Sequence, residues 1–247
     1  MDRLIYVAMN GARYAMSKQA TTANNLANVS TDGFRGQFNT ARALAAIGPG
    51  LPTRTFPVDS TVGSNFAPGP IDRTGRDLDV AVEGRGWIAV QGADGREAYT
   101  RSGALEINAN GQLQTKTGLN VLGDGGPIAI PPDSRVSIAR DGTVSTIPTV
   151  GIPNITNALG RIKLVNPPEA SLIRGDDGLF RLPGGAPAPA DNDVVLASGA
   201  LERSNVNAVS AITDIITQSR QFDLQVRLLQ NADQNARAAA QLLNLNV

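Results

Sequence analysis

Residues 208–243 read AVSAITDIITQSRQFDLQVRLLQNADQNARAAAQLL, and this stretch decides the fold class. Ala208, Ile212, Ile215, Ser219, Phe222, Val226, Leu229, Asp233, Ala236, Ala240 and Leu243 follow one another in steps of four and three. Nine of these eleven positions are apolar, a 3.5-residue repeat that predicts one long helix with a seam for partner helices. Ser204, Asn205 and Asn207 are candidate N-caps. A helix of about 38 residues would extend roughly 57 Å.

The opposite end has the same habit. Ile5, Ala8, Ala12, Ala15, Gln19, Thr22, Leu26 and Val29 also step by three and four. This seam is made mostly of small and polar residues. An alanine seam permits close approach but buries only about 0.8 kcal/mol per methyl-sized group, so such a helix needs partners on more than one side. Asp32-Gly33 is a turn pair that stops it. Residues 4–31 hold one glycine, Gly11, and residues 203–247 hold none, whereas all 15 prolines lie between Pro49 and Pro189. The ends are helical and the middle is not.

Residues 34–70 show no sustained period and carry Pro49, Pro52, Pro57, Pro68 and Pro70. They read as an extended connector with a short helix over residues 39–46. Residues 71–199 read as β. Leu78–Val82 and Trp87–Gln91 flank Glu83-Gly84-Arg85-Gly86, and Ala93-Asp94-Gly95-Arg96 precedes Glu97–Thr100. Asn108-Ala109-Asn110-Gly111 and Asp141-Gly142 mark two further hairpins. Val80, Val82, Trp87 and Ile88 are the expected β core. The fold expected is mixed α and β: long terminal helices in a coiled-coil layer, with an inserted all-β domain. Its divisions are 1–33 (N-terminal assembly helix), 34–70 (connector), 71–199 (outer β domain) and 200–247 (C-terminal assembly helix).

Composition narrows the function. The 247 residues include no cysteine and no histidine, which excludes disulfides, thiolate metal sites and Ser–His–Asp catalysis. Twenty-two basic residues balance 22 acidic ones, with neither excess nor stripe for nucleic acid. No apolar run is long enough to cross a membrane, and the first residues lack the pattern of a cleavable leader. Gly123-Asp124-Gly125-Gly126 lacks the lysine of a phosphate loop. Asp77, Asp79, Glu83, Glu97 and Glu106 have no spacing that singles out a catalytic pair. The expectation is a non-enzyme with no cofactor and no metal.

Four stretches carry a family resemblance. Ala23-Asn24-Asn25-Leu26-Ala27-Asn28-Val29-Ser30-Thr31-Asp32-Gly33-Phe34-Arg35 resembles the N-terminal signature of bacterial flagellar rod and hook axial proteins. Asp77–Trp87, then Tyr99-Thr100-Arg101-Ser102-Gly103 with Asn108–Leu113, then Gly199-Ala200-Leu201-Glu202-Arg203-Ser204-Asn205-Val206-Asn207 resemble three later segments of that family, in order. The opening Met1–Met9, the length and Arg220-Gln221-Phe222-Asp223 are most similar to its proximal rod branch, with a distal rod or other axial protein as the alternative within the family. Asp32 stands where the signature often has proline.

The resemblance implies a structural subunit of the flagellar rod, the drive shaft for motility. It would pass the flagellar export apparatus without a cleaved leader and polymerise through its terminal helices in the periplasmic part of the basal body. Its implied partners are neighbouring proximal rod subunits, distal rod proteins and copies of itself. The assembly interface expected on this basis comprises Ile5, Ala12, Asn24, Asn25, Leu26, Asn28, Val29, Gly33, Phe34, Ile212, Ile215, Phe222, Val226, Leu229 and Leu243. The seams alone also allow a helical hairpin within one chain. The residues further admit a periplasmic carbohydrate-binding β protein or a scaffold that dimerises through its ends. The amides of Asn24, Asn25 and Asn28 read either as a solvated face or as bonds between subunits, and their place in the signature favours the second.

Overall fold

A computed structural model describes residues 2–45, 55–148 and 156–244. Helix α1 spans Asp2–Ala27 and helix α2 spans Ala208–Asn244. Between them lie β1 (Gln37–Ala45), β2 (Thr55–Ser64), β3 (Ile71–Arg73), β4 (Val80–Glu83), β5 (Trp87–Gln91), β6 (Glu97–Thr100), β7 (Leu105–Ile107) and β8 (Leu113–Thr115). They continue as β9 (Leu122–Gly123), β10 (Gly126–Pro127), β11 (Ser134–Ile138), β12 (Thr143–Pro148), β13 (Asn157–Arg161) and β14 (Leu164–Val165). The last four are β15 (Ile173–Arg174), β16 (Phe180–Arg181), β17 (Val195–Ser198) and β18 (Ala200–Glu202). The chain is therefore mixed α and β, helical at both ends with strands between. It divides into two units, residues 1–29, 36–65 and 206–247 in one, residues 30–35 and 66–205 in the other.

In the helical unit α1 and α2 pack against each other. They run antiparallel: Gln218 near the start of α2 meets Thr22 late in α1, through Nε2 to Oγ1 at 3.0 Å, whereas Gln225 lies over Gly11. Of the expected α1 seam, Ala8, Ala12 and Ala15 are buried, the positions from Gln19 to Val29 are half-buried and Ile5 is exposed. The α2 seam differs from the expected one. Ala211, Gln218 and Ala232 are buried, while Ile212 is 48% exposed and Ser219 and Asp233 face out. The inward row is Ala208, Ala211, Ile215, Gln218, Phe222, Gln225, Leu229 and Ala232, which shares every second position with the expected row. Small side chains there let the helices approach closely: a Cβ on Gly11 would lie 2.9 Å from Gln225 Cδ. Asn207 caps α2, its Oδ1 accepting from the Ser210 N–H at 3.0 Å.

Residues 37–45 are a strand and not the short helix the sequence suggested. β1 pairs antiparallel with β2, from Gln37↔Ser64 to Ala45↔Thr55. Alternation along β1 sets its face. Gln37 and Asn39 turn towards α1, and Phe38 turns away and lies across its partner Gly63. Asn25 splints the strand to α1 with two bonds, Nδ2 to Gln37 O at 2.7 Å and Gln37 N–H to Oδ1 at 2.8 Å. Asn39 bonds Ser17 and accepts from Thr21. Sequence periodicity misses β1 because what holds it is non-local.

In the β unit, the turns read from Asp-Gly and Asn-Gly pairs join paired strands: β5–β6, β7–β8 and β11–β12. The segment Glu83–Gly86 joins different sheets instead. β4 pairs with β17, whereas β5 lies in a five-stranded sheet ordered β14-β5-β6-β16-β15. Both faces of β5 are covered. Ile88 and Val90 enter a large aliphatic cluster with Val80, Val82, Leu105 and Leu113. Trp87 and Ala89 enter a second cluster with Tyr99, Val165 and Phe180. Among the described residues no helix is long and apolar enough to cross a membrane.

Candidate functional site: a buried charged junction and two exposed helix faces

Helix α1 ends at Ala27, and residues 30–35 fold into the β unit. A turn over residues 31–34 closes with the Phe34 N–H on Thr31 O at 3.3 Å. Gly33 within it has φ +69°, and a Cβ there would sit 2.2 Å from Arg101 C. Only glycine tolerates both the left-handed backbone and that approach. The turn delivers Arg35 to the interior. Its Nη1 meets Glu202 Oε1 at 2.8 Å and Ala67 O at 2.9 Å. Arg101 Nη1 meets Glu202 Oε2 at 3.0 Å and Val82 O at 3.0 Å, and its Nη2 donates to Gly84 O. The three side chains are at most 4% exposed. The Gly69 N–H also donates to Glu202 Oε1, at 2.9 Å.

Two guanidinium groups thus share one carboxylate in the interior. The excess positive charge faces an indole: the guanidinium carbons of Arg35 and Arg101 lie 5.9 and 5.5 Å from the Trp87 ring centroid. This accounts for Arg35 Nε, Arg35 Nη2 and Arg101 Nε, which have no hydrogen-bond partner among the described residues. Burial pulls the Arg101 guanidinium down to about 10, against the pull of Glu202 in the other direction. Trp87 also packs against Phe180, the rings tilted at 47° with centroids 4.6 Å apart, and meets Phe66 edge-on at 6.0 Å.

A second polar cluster lies in the same unit. Lys163 Nζ is 2.7 Å from Glu97 Oε2, and Tyr99 donates to Glu97 Oε1 at 3.0 Å while its oxygen accepts from the Ala188 N–H at 2.7 Å. Burial first, and the neighbouring Glu97 carboxylate with it, push the Tyr99 hydroxyl up to about 12. Among the described residues no group of three or more acidic side chains is placed to hold a metal ion.

The residues expected at an assembly interface take several positions. Ala12 is buried within the helical unit and Phe34 within the β unit. Leu26, Val29, Ile215, Phe222, Val226 and Leu229 are half-buried. Asn24 is exposed, and its carbonyl receives Asn28 Nδ2 at 2.9 Å. The Asn25 amide is engaged by β1 and not directed outward. Ile5 and Ile212 are exposed. The Leu243 side chain lies outside the described residues. Val80, Val82, Trp87 and Ile88 are all buried.

Each helix also presents an apolar face of which the sequence pattern had picked out only Ile212. On α1 the exposed positions Tyr6, Met9, Arg13, Met16, Ala20, Ala23 and Ala27 form a second row in steps of three and four. Tyr6 and Met16 are each 57% exposed. On α2 Val209, Ile212, Ile216, Leu224 and Leu228 are exposed. The repeat itself was the available signal, since a helix apolar on two sides has two faces to cover. Arg35, Arg101 and Glu202 were within the quoted motifs, but nothing local marks a charged residue as buried.

Arg35, Arg101 and Glu202 each lie within a stretch that matches a known family. Residues 5–35 match the family described as flagella basal body rod protein. Residues 81–146 match the flagellar hook protein FlgE/F/G D1 domain, and residues 197–242 the flagellar basal body rod FlgEFG protein C-terminal family. The chain is 45% identical to the flagellar basal-body rod protein FlgF of Escherichia coli (strain K12), over 100% of both chains. It is 44% identical to FlgF of Salmonella typhimurium (strain LT2), again over 100% of both. The flagellar basal-body rod protein FlgG of Agrobacterium fabrum (strain C58) is 32% identical over 95% of this chain and 97% of that one. With relatives this similar along its whole length, the chain belongs to the flagellar basal-body rod protein family.

Proposed function

We propose that the chain is a structural subunit of the proximal part of the bacterial flagellar rod, working through contacts with other axial proteins and with copies of itself. Membership of the rod family supports this reading, and the exposed apolar rows on α1 and α2 carry it to mechanism. A face containing Tyr6, Met9 and Met16, and another containing Ile212, Ile216, Leu224 and Leu228, are costly to leave in water and gain on meeting partner helices. The α1–α2 pair is then one element of a coiled-coil layer, and neighbouring pairs complete it. Torque passes through many modest helix contacts repeated around a shaft. The role is structural and not enzymatic. Its partners are neighbouring proximal rod subunits and distal rod proteins, and it reaches them through the flagellar export apparatus.

The test is complementation. In a bacterium lacking its own copy of the corresponding rod gene, the full chain restores swimming and sediments with purified basal bodies. Photo-crosslinkers at Met16 and Ile216 capture other rod subunits there. Restored swimming without the chain in basal bodies, or crosslinkers that capture nothing, overturns the reading.

A further inference from the structure

Two of the segments by which the chain leaves the β unit, residues 30–35 and 200–205, meet around one side chain. Glu202 receives the Arg35 and Arg101 guanidinium groups and the Gly69 N–H on its carboxylate, and the Gly33 N–H on its carbonyl at 2.7 Å. On either side of it the two exits are tied again. The Asn205 N–H donates to Phe34 O at 3.3 Å, and Arg203 reaches Asp32 at 3.1 Å. Residues 66–70 close the third side through the Arg203 N–H to Pro70 O at 2.8 Å. The backbones are closer than side chains allow, because a Cβ on Gly69 would lie 2.0 Å from Arg203 O.

We propose that Glu202 is a positioning residue for rod assembly: held between Arg35 and Arg101, it locks the two exits of the β unit side by side in a single register. The purpose of the lock rests on the rod reading, while the lock itself does not.

Charge makes the register unique. A one-residue slip of residues 30–35 would bring Phe34 or Gly36 to the place of Arg35, leaving Glu202 with one cation and burying a guanidinium elsewhere without a partner. An apolar contact would tolerate the slip, and a buried ion triad does not. Gly33 and Gly69 add a steric key, since a shift would carry a Cβ into backbone. Helix α1 precedes residues 30–35 and helix α2 follows residues 200–205, so every copy starts its two assembly helices from the same pair of points. Each of the three stretches that match flagellar families places residues in this lock: Gly33 and Arg35 in 5–35, Trp87 and Arg101 in 81–146, and Glu202 in 197–242.

Amide exchange of the full-length chain tests this directly. In the unsubstituted protein the amides of Gly33, Gly69 and Arg203 exchange as slowly as those of Ala89 and Val90 in β5, through global unfolding alone. Exchange of these three amides by a faster local opening overturns the lock. In Glu202→Gln, Gly69, whose N–H is held by the carboxylate, loses about ten- to a hundred-fold of protection, the loss expected for a bond to a charged acceptor, and Gly33, held by the Glu202 carbonyl, loses protection with it as the lock opens. β5 and the fluorescence of Trp87, the only tryptophan, stay native. Incorporation into basal bodies falls about ten-fold, the direction the positioning role requires. Unchanged protection with full incorporation overturns the proposal.

Should Glu202→Gln fail to fold, the variant Arg35→Met/Arg101→Met/Glu202→Leu removes all three charges without stranding one. It is expected to fold and to assemble poorly, and assembly at the original level overturns the proposal. Failure of the unsubstituted chain to enter basal bodies would count against the rod reading, and the exchange result would still judge the lock.

Discussion

At the scale of single residues, the glycines divide by what surrounds them. Gly33 combines positive φ with a backbone neighbour 2.2 Å from any Cβ, whereas Gly84 has φ +73° and open space. Gly33→Ala should therefore cost about 3 kcal/mol or more, and Gly84→Ala about 1 kcal/mol, in urea unfolding followed through Trp87. Tyr99 makes a pH prediction. Its hydroxyl ionises near 10 in the ordinary case and near 12 when buried here. The folded state holds a proton that the unfolded state has lost, so this stabilisation is complete below pH 10 and disappears as pH rises towards 12. Its size is on the order of 2 kcal/mol. Tyr99→Phe should flatten that alkaline loss in denaturation curves taken between pH 9 and about 12. The turns at Gly33 and Gly84 were legible from the sequence, but what packs around Gly33 and Tyr99 was not. Tyr99 and Arg101 stand two residues apart in one motif, and only the segments folded over them turn one into a high-titrating hydroxyl and the other into a buried cation.

At the scale of elements, one residue separates inward from outward on α1. Ala15 is buried against α2 and Met16 is 57% exposed. Ala15→Glu should open the helix pair in the isolated chain, lowering helical circular dichroism, because a buried carboxylate without a partner costs several kcal/mol. Met16→Glu should leave that spectrum unchanged and abolish incorporation into basal bodies. Equal effects of the two would remove the distinction between the faces. The helices themselves were legible, since a long 3.5 repeat with no proline and at most one glycine has few alternatives. Which row of α2 turns inward was not. The step of four and three selects Ile212, Ser219, Val226 and Asp233. The packing selects Ala211, Gln218, Gln225 and Ala232, because close approach to the alanine face of α1 rewards small or bonded side chains. β1 was misread for a related reason: its alanines suit a helix, and its pairing with β2 and Asn25 lies elsewhere in the chain.

At the scale of the whole molecule, the division of the chain predicts what truncation does. Removing residues 208–247 should abolish rod incorporation and swimming while the β unit stays folded, with native Trp87 fluorescence. A swimming truncation strain would contradict assembly through α2. Beginning the β unit at residue 36 should lower its melting temperature relative to a start at residue 30, because Arg35 and the Gly33 turn are part of it. The sequence by itself determined the helical ends, the hairpin turns of the middle and the family, because periodicity, Asp-Gly and Asn-Gly pairs and contiguous motifs are local properties of the chain. The absence of cysteine and histidine, with zero net charge, pointed away from common catalytic chemistry and suited a subunit whose work is done by contacts. Only the tertiary structure decided which helix faces are spent inside the chain and which remain exposed. It alone also decided that Arg101 and Glu202, 101 residues apart, form one buried junction with Arg35. The physical reason is that burial and ion pairing depend on what folds over a residue, and no spacing within a single segment encodes that.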